Sequence, residues 1–197
     1  MWREVPHEIE IKLKVEDPRA MRKRLKECGF VMIERRHFES NVVFDFRNSR
    51  LRRSRSLLRL RNEGNRRILT FKGPPRPSDS YKVRPEIEME VSDGESLRWI
   101  LKALDLHPIF RYEKYRTIFA EGGRRRTARM PVVAFDETPI GFYVELEGPG
   151  AWIDRKATLL GYRKKDYIKV SYAALYRKQR RRFGLRSEDM VFLRRDS

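Results

Sequence analysis

The sequence predicts an α+β fold in which strands close into a barrel with a charged interior. Three observations carry that expectation. Eight segments read as strands and four as helices, so sheet dominates. Along several of these strands one parity is apolar and the other charged throughout; successive side chains of a strand point to opposite faces, so each has one face for a core and one for charge. The charges also segregate, carboxylates on some strands and Lys or Arg on others, whereas a solvated face mixes in Ser, Thr and Gln. One such strand is an ordinary half-buried strand. Six of them fit a closed barrel that encloses its charges.

The first strand, about residues 7–14, sets the pattern: Glu8, Glu10 and Lys12 share one face, Ile9, Ile11 and Leu13 the other. Asp17 as N-cap, Pro18 at the first helical position, and Met21, Leu25 and Cys28 along one face predict a helix ended by Gly29. Strands follow at about 37–46, 56–61, 66–72 and 82–91. In the second of these Arg59 and Arg61 share a face between Leu58 and Leu60. The third ends on Lys72, and the fourth alternates Arg84, Glu86, Glu88 and Glu90 with Pro85, Ile87, Met89 and Val91. A helix over about Gly94 to Asp105, capped by Ser92 or Asp93, places Leu97, Ile100, Leu101 and Leu104 on its apolar stripe. Strands at about 109–119, 130–136 and 142–147 come next, with Lys114 and Arg116 on one face of the first and the pair Glu145 and Glu147 on the last. Two helices close the chain, Ala151 to Leu160 before Gly161 and Ser171 to near Gly184. Residues 73–80 and 120–127 read as loops.

The length fits a single domain over 1–197, with a basic helical extension from about 171. Lys plus Arg number 46 against 28 Asp plus Glu, a formal charge of +18 that favours anionic partners such as nucleotides, polyphosphate, nucleic acid or a membrane surface. The runs Arg50 to Arg55 and Arg177 to Arg182 read as solvated surface. A lone cysteine, Cys28, excludes an internal disulfide and fits a reducing cytoplasm. No apolar run reaches membrane-spanning length and the N-terminus has no leader-like apolar segment, so a cytoplasmic protein without a membrane partner is expected. His7, His37 and His107 are scattered, which speaks against zinc. Two carboxylates adjacent on one face repel unless a cation lies between them, and hard divalent cations such as Mg²⁺ take oxygen ligands of this kind. The pairs Glu8/Glu10 and Glu145/Glu147 therefore point to a metal site.

The same residues carry a family resemblance. Glu8-Ile-Glu10-Ile-Lys12 is followed in order by Val43-Phe-Asp45, Leu57-Leu-Arg-Leu-Arg61, Leu69-Thr-Phe-Lys72, Glu86-Ile-Glu88, Lys114-Tyr-Arg116, Phe135-Asp136, Gly141-Phe-Tyr-Val-Glu145-Leu-Glu147 and Ser171-Tyr-Ala-Ala-Leu175. That series resembles the CYTH superfamily, the triphosphate tunnel metalloenzymes, over about residues 5 to 180. The superfamily includes class IV adenylyl cyclases, thiamine triphosphatases and inorganic tripolyphosphatases. The resemblance implies an eight-stranded antiparallel β-barrel that forms a tunnel, with helices outside. It also implies Mg²⁺ or Mn²⁺ held by Glu8, Glu10, Glu145 and Glu147 with Asp136 close by, and a triphosphate gripped by Lys12, Arg59, Arg61, Lys72, Lys114 and Arg116. Glu10, Lys12, Lys72 and Arg116 would form the catalytic set. The motif set is intact, so nothing points to an inactive enzyme.

Such an arrangement suits phosphoryl transfer, where catalysis is mostly positioning and electrostatic stabilisation. Arginine forks grip phosphate oxygens in pairs, lysines act as point charges, and a metal bridges the phosphates and activates water or a ribose 3′-hydroxyl. The expected activity is metal-dependent hydrolysis of an inorganic or organic triphosphate. One alternative is a class IV adenylyl cyclase converting ATP to cyclic AMP and pyrophosphate. The other is a non-catalytic binder of polyphosphate or RNA. Paired carboxylates beside the cations repel phosphate and disfavour that reading, so nucleic acid is set aside as a partner. Glu86 and Glu88 are expected to orient the arginines rather than hold metal, and Tyr143 to form tunnel wall. The oligomeric state stays open, a homodimer included.

Overall fold

β1 (His7–Val15) buries Ile11, Leu13 and Val15 on one face, and the alternation that does so turns Glu8, Glu10 and Lys12 the other way. The same division repeats around the computed structural model, which describes residues 5–122 and 130–193. The remaining strands are β2 (Phe30–Phe46), β3 (Leu57–Glu63), β4 (Arg66–Lys72), β5 (Lys82–Glu90), β6 (Leu106–Glu121), β7 (Val132–Thr138) and β8 (Gly141–Glu147). They close into an antiparallel barrel in the order β1-β5-β4-β3-β2-β6-β7-β8. The expected eight-stranded barrel is therefore present. Most of the loop expected at 120–127, and the end of the C-terminal extension, lie outside the described residues.

The apolar core sits mainly outside the barrel wall, beneath the helices. α1 (Pro18–Glu27) and α4 (Gly150–Leu159) pack Met21, Leu25, Trp152, Ile153 and Ala157 on Ile11, Leu13, Phe119, Phe135, Val144 and Leu146. Asp17 caps α1 by accepting from the Arg19 and Ala20 N–H groups, and Gly29 leaves the helix at φ +79°, where a Cβ is costly. A second cluster lies inside one end of the barrel. There α5 (Tyr172–Phe183) lays Tyr172 and Tyr176 on the inward-facing Val43, Tyr112 and Tyr143. Tyr143 is thus buried against α5. Among the described residues no helix is long and apolar enough to cross a membrane.

Three elements depart from expectation for identifiable reasons. β2 begins at Phe30 rather than near 37 and pairs with β6 along its length. Register shifts between Met32 and Glu34 and between Glu34 and His37 break the two-residue period, so the Glu34-Arg35-Arg36 run does not read as strand. Inside the basic run at 50–55 lies a short helix, α2 (Arg50–Arg53), organised by buried Asp45, whose carboxylate accepts from the N–H groups of Phe46, Leu51 and Arg52. On α3 (Gly94–Ala103), capped by Asp93, Leu97 and Leu101 face the barrel, but Ile100 and Leu104 of the expected stripe are 56% and 60% exposed. The helix rests on the sheet along a narrower stripe than its sequence offers.

Candidate active site

A cavity of about 860 Å³ runs into the barrel, lined by the charged faces of the strands. Glu8, Glu10 and Lys12 of β1, Arg59 and Arg61 of β3, Lys72 of β4, Lys114 and Arg116 of β6, and Glu145 and Glu147 of β8 all open on it. Strand register accounts for the grouping. Lys12 lies opposite Glu145 and Glu10 opposite Glu147 across the β1–β8 ladder, so each pair points the same way. Among the expected site residues only Asp136 is withdrawn from the cavity. It is fully buried, with Arg116 bound in two-pronged fashion at 2.7 and 2.6 Å, Lys114 at 3.2 Å and the Tyr172 hydroxyl donating at 2.7 Å.

The acidic side is knitted to lysines. Lys12 lies 3.2 Å from Glu10 and 2.9 Å from Glu145, Lys82 is bound to Glu10, and Lys72 joins Glu8 and, at 3.1 Å, Glu86. Burial opposes the charge on Glu10, yet Lys12, Lys82 and Lys72 outweigh it and hold the carboxyl well below its usual range. Glu145 is held low in the same way, burial being overcome by Lys12, Arg116 and Lys114. Glu86 goes the other way: burial and the neighbouring Glu8 push it up to about 8 against the pull of Lys72. The acidic set therefore mixes strongly ionised carboxylates with one that retains its proton near neutrality.

The cationic side is preset. Arg59 donates to the Tyr112 hydroxyl at 3.1 Å and to Thr70 at 3.0 Å, with Glu88 at 3.4 Å; Arg61 lies 3.8 Å from Glu88 and 3.2 Å from Glu63. Glu88 therefore leans on both arginines, as its expected orienting role requires, while Glu86 pairs with Lys72. Arg116 also reaches Glu145. Arg84 opens on the cavity, but its guanidinium donates to the Gly73, Arg55 and Lys72 carbonyls and so ties the wall together.

Some participants escaped the sequence reading. Lys82 shares a parity with Arg84 and Glu86 on β5, so the alternation already contained the signal that would have found it. Glu39 on β2 sits behind the cations, 3.3 Å from Lys114 and 3.7 Å from both Arg61 and Arg116. It lies among Ser40, Asn41 and His37, where polar residues on both parities hide the inward face. Tyr172 arrives from a helix and has no strand pattern to betray it.

A family model described as the CYTH domain matches residues 6–170. "Putative adenylate cyclase MJ0240" of Methanocaldococcus jannaschii is 29% identical over 153 residues, covering 78% of this chain and 83% of that protein. A solved structure of the same description from Vibrio parahaemolyticus superposes with a TM-score of 0.74 at 16% identity, covering 88% of this chain and 99% of its own. The PH1819 protein of Pyrococcus horikoshii OT3 gives 0.71 at 21% identity over the same shares. A Hippeastrum protein, also of that description but with a dominant triphosphatase activity, gives 0.58 at 18% identity, covering 87% of this chain and 96% of its own. At such identities the solved structures speak for the fold. The family match, which spans most of the chain and every strand of the barrel, goes further: the protein belongs to the CYTH domain family.

Proposed function

We propose that the protein is a metal-dependent enzyme that cleaves a triphosphate-containing substrate inside the barrel, with hydrolysis as the leading reaction. One observation carries the reading: four glutamates of two adjacent strands share a single cavity with arginines and lysines held in place by their own partners. We include α5 in the same domain, since Tyr172 and Tyr176 fill the end of the barrel although the family match stops at residue 170.

The acidic residues fit a hard divalent cation. Glu10 and Glu147 are register partners, Glu8 and Glu145 lie beside them, and all four open on the cavity. Carboxylate oxygens are the donors Mg²⁺ or Mn²⁺ takes, one or two of them together with substrate phosphate oxygens being enough. Glu10 and Glu145 are held ionised, as ligands must be. A cation held by these residues would supply charge neutralisation at the phosphates and a lowered pKa for the attacking hydroxyl or water. Asp136, withdrawn from the cavity, serves by fixing Arg116.

The chain's own residues bind and orient the phosphates. Arg59 and Arg61 present planar forks from one face of β3, and Lys12, Lys72, Lys114 and Arg116 add charge along the cavity. Side chains that are already placed lose little freedom on binding. Eight cationic and six acidic side chains line the space, and with Glu86 holding its proton the surplus is about three positive charges. A divalent cation would raise it to about five, close to the charge of a fully ionised inorganic triphosphate.

A second reading is ATP cyclisation, favoured by the apolar corner that Val43, Leu57 and Tyr112 form near α5, where a base finds contact. Chromatography of products from inorganic triphosphate and from ATP, each with Mg²⁺ or Mn²⁺, separates the two. Orthophosphate from triphosphate supports hydrolysis; cyclic AMP as the main product from ATP replaces it with cyclisation.

A further inference from the structure

Two basic segments that read as solvated surface in the sequence meet in space. Arg52 of α2 and Arg177, Lys178, Arg181 and Arg182 of α5, together with Ala174, line an outer groove of about 580 Å³. The five α5 positions follow the spacing i, i+3, i+4, i+7, i+8, which is one face of a helix. The other face of α5 is the one that plugs the barrel through Tyr172 and Tyr176. The helix is thus two-sided, one stripe for the core and one for charge.

The charge on this stripe is uncompensated. Among the described residues none of the five cations pairs with a carboxylate, although the adjacent Arg180 reaches Glu188 at 3.2 Å. Arg177 and Arg181, and Lys178 and Arg182, are like charges one turn apart, an arrangement that weakens a helix. Burial together with the nearby Arg52 and Arg181 pushes the Arg177 guanidinium down. Favourable interaction with the helix C-terminus accounts for cations in the last turn of α5. It does not account for Arg177 and Lys178, nor for Arg52, which comes from a segment more than a hundred residues away in the chain.

We propose that the α2–α5 groove is a docking site for nucleic acid, gripping a run of backbone phosphates without regard to base sequence. The groove is concave and lined from two elements, so an anion that enters is met from both. A phosphodiester backbone presents a row of charges that suits a stripe of this kind. From Ala174 to Arg182 the stripe extends about 12 Å at 1.5 Å per residue, the span of roughly three or four phosphates of one strand measured along the duplex axis. The carboxylates that argue against phosphate binding lie inside the barrel and none lines this groove.

The test is fluorescence anisotropy of a labelled 20-base-pair RNA duplex with the full chain between about 50 and 200 mM salt. Arg177→Ala/Arg181→Ala should weaken binding at least tenfold and lower the slope of log affinity against log salt by about two; Arg52→Ala should lower it by about one. Thermal denaturation serves as the fold control, and the double variant, relieved of a like-charge pair, should melt no lower than the wild type. Failure of the wild type to bind the duplex overturns the proposal, as does wild-type affinity in both variants. Binding to phosphatidylserine vesicles through the same arginines, with no binding to RNA, overturns it in favour of a membrane surface.

Discussion

Glu39→Gln asks whether the cavity's cations are held by charge they share. Glu39 is 1% exposed, and neither carboxylate oxygen has a hydrogen bond, yet Lys114 lies at 3.3 Å and Arg61 and Arg116 at 3.7 Å. Three of the six expected phosphate-binding cations therefore lean on one carboxylate. Burial works against its ionisation, and Lys114 and Arg116 reverse that, holding it well below the usual range. Glutamine keeps the shape and removes the charge. Stranding a buried ion costs about 3–5 kcal/mol. Here Lys114 and Arg116 keep Asp136, and Arg61 keeps Glu63, so a loss of about 2 kcal/mol is expected. For a chain of this size that is a fall of about 4–8 °C in Tm. The assay is thermal denaturation with and without inorganic triphosphate. Triphosphate brings negative charge to the same cations, so its stabilising shift should be larger in the variant and the gap should narrow. An unchanged Tm, or equal shifts in both proteins, would refute the coupling between Glu39 and the phosphate-binding residues.

Two further outcomes follow from the geometry. Arg59→Lys should bind inorganic triphosphate about tenfold more weakly by calorimetry, a loss of about 1.4 kcal/mol, because lysine cannot hold Tyr112 and Thr70 and present a fork as well; equal affinity would place Arg59 outside the binding set. The Glu39 carboxylate, 3.6 Å from the ring Nε2, with Glu63 adding to it, raises the His37 imidazole above its ordinary value. A raised value gives stabilisation that is complete below about pH 6.5 and lost as pH climbs through the folded value. Wild-type Tm should therefore fall relative to His37→Gln from about pH 6.5 upward, and parallel curves would dismiss the interaction.

What the sequence made legible is the part governed by strand parity. Glu8, Glu10 and Lys12 alternate cleanly with buried aliphatics, and so do Arg59 and Arg61, so their common face follows from local geometry alone. Parity fails where the register slips. The first half of β2 is hidden by its bulges, and Glu39 is hidden by polar neighbours on both sides. Which way a charge faces is also less than what it touches: Asp136 has the inward parity but is spent on Arg116, Lys114 and Tyr172. The meeting of Arg52 with Arg177 and Arg181 depends on how α5 closes the barrel. No local pattern in either segment encodes it.

In the proposed function the barrel's glutamates and cations act together on a triphosphate. Release of orthophosphate from inorganic triphosphate, measured with Mg²⁺ or Mn²⁺, in EDTA, and in Glu147→Gln, tests it most directly. Turnover should be abolished by EDTA, restored by added metal and lowered at least tenfold by Glu147→Gln, about 1.4 kcal/mol in barrier height. Undiminished release in EDTA, or a Glu147→Gln protein within about threefold of wild type, would contradict it.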